Sequence, residues 1–148
     1  IITALKQKSN EVSDGMDIAI CSFDLNKRTL EYAGANRPLY MVRNGEIREI
    51  KPDKLAIGGF RLNTEAVFTN HQVELLEGDL IYIFSDGFAD QFGGTRGKKL
   101  LSKRLREKLI TLKEKPMSEQ QKLLAQYFDE WKGNFEQVDD VLLIGIRV

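Results

Sequence analysis

The chain has 148 residues, enough for one domain that buries roughly two-thirds of its unfolded surface. Hydrophobic residues make up 42% and charged residues 30%, and Lys+Arg and Asp+Glu both number 22, so the formal net charge is zero. That balance argues against a dedicated nucleic-acid surface or a polybasic membrane anchor; no apolar run approaches the ~18 residues of a membrane span.

Residues 1–10 have helical composition and read as the end of a helix. Residues 16–23 are apolar and β-friendly, Asp24-Leu25-Asn26-Lys27-Arg28 is a turn, and 29–33 returns, which predicts a hairpin. Cys21 is the lone cysteine, so no internal disulfide can form; it reads as a reduced core residue and fits a cytoplasmic setting. Segments 39–43 and 46–50 flank Asn44-Gly45, the strongest short hairpin signal. Residues from Ala56 through Gly59 onward read as a loop, and 67–75 alternate in a way that predicts a strand with two different faces. Glu77-Gly78-Asp79 is the turn into the apolar run 80–84, a fully buried strand. A loop from Asp86 to about Gly97 follows. Leu101, Leu105, Leu109 and Leu112 then recur at helical spacing, and Pro116 ends that helix. Ser118 with Gln121 forms a capping-box signature before an amphipathic helix carrying Leu124, Tyr127, Phe128 and Trp131, with Gly133 as its stop. Residues 141–148 read as the last strand. Antiparallel hairpins, two helices and a strand make an α+β chain with helices packed on sheet.

The chemistry-bearing features are two acidic strand ends. Asp86 follows the run Leu80-Ile81-Tyr82-Ile83-Phe84 and precedes Gly87; Asp139-Asp140 abuts Val141-Leu142-Leu143-Ile144. Oxygen ligands without thiolate and with almost no imidazole suit a hard cation such as Mg²⁺ or Mn²⁺. His71, the only histidine, reads as a satisfied strand residue. The basic run from Arg96 to Lys108 reads as the wet face of a helix, with a docking face for a phosphoprotein as the alternative.

At these residues the chain resembles the metal-dependent PPM-type (type 2C) serine/threonine phosphatases, and more closely their bacterial sporulation stage II E and sigma-regulator branch. The matching pieces, in the family's order, are Asp14-Gly15-Met16-Asp17, Tyr32-Ala33-Gly34-Ala35-Asn36-Arg37-Pro38-Leu39, Glu77-Gly78-Asp79, Ser85-Asp86-Gly87 with Asp90, and Asp139-Asp140. The resemblance implies an α+β fold, an antiparallel β-sandwich flanked by helices, of which residues 1–148 form the later portion of one domain. It implies hydrolysis of phosphoserine and phosphothreonine by metal-activated water, with Mn²⁺ or Mg²⁺ in a two-metal site of the complete domain.

Asp86 and Asp139 align with metal ligands; Gly87 contributes backbone beside the metal. Asp140 is expected to orient its neighbours through hydrogen bonds rather than bind metal directly. Asp90 is expected to fix the loop after the site, and Asp14 and Asp17 lie where the family chain approaches it. Arg37 stands in a segment expected to be a structured turn, with phosphate contact as the alternative. The partner implied is a phosphoprotein, in this branch an anti-sigma-factor antagonist, with a sensory segment upstream; neither nucleic acid nor membrane is expected to touch this segment. The chain opens Ile-Ile-Thr and is expected to be a piece of something longer, because the family's earlier carboxylates precede the matched region. Two rival readings stand beside the enzyme: a catalytically incompetent pseudophosphatase that binds a partner, and a truncated piece that homodimerises through an exposed sheet edge or interior face.

Overall fold

The structure, a computed structural model, describes residues 15–58 and 67–148. The expected helix end at residues 1–10 and Asp14 lie outside the described residues. The chain divides into two compact units, residues 1–39 with 50–76, and residues 40–49 with 77–148.

Among its described residues, the first unit contains strands and no helix. β1 (Gly15–Met16) pairs antiparallel with β6 (Ile57–Gly58). The second sheet has the order β2-β3-β7, formed by β2 (Ile18–Asp24), β3 (Thr29–Ala35) and β7 (His71–Glu74). Register is set by period-two burial: on β3, Leu30 and Tyr32 are fully buried while Glu31 between them is exposed. Two expectations change here. The loop at Ala56–Gly59 contains the two-residue strand β6. The strand predicted over 67–75 begins only at His71, because the Thr69 N–H and hydroxyl donate to the Asp53 carboxylate, at 2.7 and 3.1 Å, instead of to a neighbouring strand.

The second unit carries a four-stranded sheet in the order β11-β8-β4-β5, with β4 (Leu39–Arg43), β5 (Glu46–Ile50), β8 (Leu80–Phe84) and β11 (Leu143–Arg147). β4 and β5 turn on Asn44 and Gly45, at φ 52° and 82°, the left-handed pair that a two-residue hairpin requires. β11 runs antiparallel to β8, Leu143 opposite Phe84 and Arg147 opposite Leu80. Leu80, Tyr82 and Phe84 share one face of β8 and form a core with Leu105, Leu109 and Leu112 of α2 (Ser102–Leu112) and Leu124 and Phe128 of α3 (Met117–Lys132). Full burial of each such side chain is worth about 1.5–3 kcal/mol. The buried Tyr82 hydroxyl donates to Gln120 Oε1 at 2.6 Å, and burial pushes its pKa up to about 12.

The segment after Asp86 is more ordered than its composition suggests. It forms a one-turn helix α1 (Gly87–Asp90), which buries Phe88 and Ala89, and then a short hairpin of β9 (Phe92–Gly93) and β10 (Lys98–Lys99). The capping box is not used: α3 starts one residue before Ser118, with Pro116 as N-cap and no side-chain cap bond. Its stop is as expected, Gly133 at φ 54° donating its N–H to the Asp129 carbonyl.

Candidate functional site

In the second unit, the β8–β11 register brings two acidic segments to one end of the strand pair, although Ser85 and Asp140 are 55 residues apart in sequence. Ser85 ties the segments together. Its N–H donates to the Leu142 carbonyl (2.9 Å), its hydroxyl donates to the Asp140 carbonyl (2.7 Å), and that hydroxyl accepts the Leu142 N–H (2.9 Å). Sequence reasoning gave Ser85 no role; its place between a buried strand and an acidic residue was the available signal. Gly87 sets the approach: a Cβ there would stand 2.4 Å from the Asp140 carbonyl oxygen, so only glycine lets the backbones meet.

Asp86 is half-buried and occupies the N-cap position of α1, with no side-chain cap hydrogen bond. Its carbonyl accepts the Asp90 N–H. Asp139 and Asp140 are exposed, and Asp139 Oδ1 accepts the Asp140 N–H at 2.7 Å. The Gly87 carbonyl accepts the Gln91 N–H at 3.1 Å. Asp90 faces Lys99 Nζ at 2.9 Å, an ion pair that pins α1 to β10. The oxygens at this end match the donor preference of Mg²⁺ or Mn²⁺. Among the described residues, no group of three or more His, Cys, Asp or Glu comes together to hold a metal.

Other candidates lie in the first unit. Asp17 accepts from Asn36 Nδ2 at 2.8 Å and from the Arg37 guanidinium at 3.0 Å. Asn36, at φ 57°, donates its N–H to the Asp53 carbonyl, and the Arg37 carbonyl accepts the Tyr32 hydroxyl. Arg37 therefore belongs to a hydrogen-bonded turn. Gly34 is enclosed by it, since a Cβ there would meet the Tyr32 hydroxyl at 2.1 Å. His71 stacks on Tyr32, ring centroids 5.7 Å apart. Cys21 is half-buried rather than deep in the core, and burial pushes its thiol up to about 11. It is therefore protonated at neutral pH and a poor nucleophile.

A protein-family model described as stage II sporulation protein E (SpoIIE) matches residues 2–148. Among solved structures, the SiaA-PP2C domain of Pseudomonas aeruginosa is 29% identical, with a TM-score of 0.87 over 99% of this chain and 57% of that one. The Mn-presoaked phosphatase domain of the cell fate determinant SpoIIE from Bacillus subtilis is 17% identical, with a TM-score of 0.66 over 99% of this chain and 62% of that one. The RsbU and RsbW domains of Rv1364c from Mycobacterium tuberculosis are 17% identical, with a TM-score of 0.72 over 99% and 41%. The last two likenesses show the fold alone. The chain spans less than two thirds of each of these structures. No curated protein matches it in sequence.

Proposed function

The chain belongs to the stage II sporulation protein E family, and from that premise we propose that it is the later part of a metal-dependent serine/threonine phosphatase domain acting on a phosphoprotein in signalling. Its fold, antiparallel sheets with helices, is that of PP2C-type phosphatase domains. The observation that carries the reading is the Ser85 bridge, which holds the Asp86 and Asp139-Asp140 segments at one end of β8 and β11. Asp86 and Asp139 would hold Mn²⁺ or Mg²⁺. Bound there, the cation supplies Lewis acidity toward water and offsets charge on phosphoryl oxygens. The chain's own part is positional: Ser85 fixes the spacing of the two segments, Gly87 admits their close approach, and Asp140 presents its N–H to the Asp139 carboxylate.

An anti-sigma-factor antagonist in phosphorylated form is the first substrate to test, given the likeness to a chain with RsbU and RsbW domains. Among the described residues no helix is long and apolar enough to cross a membrane. Mn²⁺-dependent hydrolysis of p-nitrophenyl phosphate, by the longest natural polypeptide that carries this chain, tests the reading. Asp86→Asn is expected to cut turnover by about a hundredfold or more and to weaken Mn²⁺ binding followed by electron paramagnetic resonance. Full turnover in that variant would remove Asp86 from the site.

The second reading is a partner-binding module of the same fold without turnover. Folded protein that neither binds Mn²⁺ nor turns over would establish it. β11, an edge strand among the described residues, exposes Ile144 and Ile146. This supports a homodimer, and a strict monomer in light scattering over a concentration series would dismiss it.

A further inference from the structure

One turn of helix beyond Asp86, the second unit makes another concave surface. The β9–β10 hairpin, with Leu101, Arg104 and Trp131, borders a cleft of about 550 Å³. Four cations line it, Arg96, Lys98, Lys99 and Arg104, and no carboxylate does. Lys99 is held by Asp90, and the Arg104 guanidinium lies 4.6 Å from the centroid of the Trp131 ring. Among the described residues, Arg96 and Lys98 are exposed and enter no ion pair. In a chain of zero net charge, this is a local excess of positive charge set in a concavity, where field lines focus.

Leu101 gives a second, independent sign. Its backbone sits at φ 73°, ψ 146°, a region that is essentially glycine's and costs a side-chain-bearing residue about 1–3 kcal/mol. The neighbouring bonds enforce it: the Leu101 N–H donates to the Ala89 carbonyl and the Leu100 N–H to the Gln91 carbonyl, at 2.8 and 3.0 Å. Yet the side chain is 56% exposed, so core packing does not explain why leucine stands there. Strain of this kind gathers at ligand clamps. The Trp131 ring has Arg104 over it and the Gly94 backbone packed close by, which leaves little bare aromatic face for a nucleobase.

We propose that this cleft docks an acidic segment with interspersed apolar residues, belonging to the protein substrate, with Arg96 and Lys98 meeting its carboxylates and Leu101 its apolar side chains. The identity of the partner rests on the phosphatase reading; the chemistry of the cleft does not. α1 links cleft and acidic end, since Asp86 caps it and Asp90, its last residue, holds Lys99. A segment docked here would deliver its neighbouring phosphorylated residue toward Asp86.

Fluorescence anisotropy with a short fluorescein-labelled peptide of glutamate, aspartate and leucine tests the cleft. Arg96→Glu with Lys98→Glu is expected to weaken binding about tenfold, and the milder Arg96→Gln with Lys98→Gln to weaken it less. Leu101→Gly is expected to weaken binding about fivefold while raising the melting temperature, a pairing that a merely structural leucine would not give. Unchanged peptide binding in the charge-reversed protein would overturn the proposal. So would tighter binding to anionic-lipid vesicles or to a single-stranded oligonucleotide than to the peptide. Turnover of p-nitrophenyl phosphate by the unaltered protein is read separately: cleft-dependent binding without turnover removes the phosphatase reading and keeps the cleft, and turnover without cleft-dependent binding does the reverse.

Discussion

At the start of β8, Asp79 is 2% exposed and takes two hydrogen bonds from the Arg43 guanidinium, at 2.9 and 2.6 Å. Beyond the other end of the same strand, Asp139 and Asp140 stand exposed, and among the described residues neither has a cation of this chain within ion-pair distance. One end is closed by an internal counter-charge, with the Gly78 and Val148 N–H groups tying β8 to β11 beside it. The other is fastened by a neutral hydroxyl, that of Ser85. Buried charge needs a partner built into the fold, whereas an exposed carboxylate is solvated by water and needs none. Equal counts of acids and bases over the chain conceal this division.

Four measurements would sharpen or break the contrast. Arg43→Ala removes the guanidinium that donates twice to the buried Asp79 carboxylate and is expected to cost about 3 kcal/mol in urea denaturation; a loss below ~1 kcal/mol would mean the closed end is not closed by charge. Gly87→Ala drives a methyl group into the Asp140 carbonyl and is expected to cost about 1–3 kcal/mol, with weaker Mn²⁺ binding because the acidic segments are pushed apart. Asp140→Asn, at the open end, is expected to move stability by no more than about 0.5 kcal/mol; a cost like that of Arg43→Ala would erase the difference between the ends. The fourth concerns pH. Burial raises the Cys21 thiol from 9.0 to about 11, so the folded state favours the protonated form. Its contribution is fully present below pH 9 and fades as pH rises from there to about 11. Comparing wild type with Cys21→Ala across that range isolates it, and parallel pH curves would refute it.

Features whose cause is local were legible in the sequence. Asn44-Gly45 demands a left-handed turn wherever it occurs, the run 80–84 is too apolar to face water, and Leu105, Leu109 and Leu112 mark one helix face that the structure buries. The likeness in ordered motifs reached the family and the fold. Features built by distant partners were not legible. The α1 and β9–β10 segment reads as loop, yet Gly94 bonds to the Trp131 carbonyl and Trp131 Nε1 donates to the Gln91 carbonyl. Ser118-Gln121 carries a cap signature, but the Pro116 carbonyl already receives the Glu119 and Gln120 N–H groups. The Arg43–Asp79 pair spans 36 positions with no local trace. At the candidate site, the identities of Asp86 and Asp139 came from motif order, while the hydroxyl that joins their segments emerged only with the strand register.

The β8–β11 pairing also bears on the order in which the protein folds. The β4–β5 hairpin closes over two residues and can form within microseconds, but Ser85 meets Asp140, 55 positions away, only after the intervening chain, with α1, α2 and α3 in it, has been brought into place. Contacts of such separation come late, because their closure entropy precedes any reward. During synthesis the two acidic segments therefore stay apart until β11 has been made and has paired with β8, so the end of the strand pair where they meet takes shape late, whatever the speed of the hairpins before it.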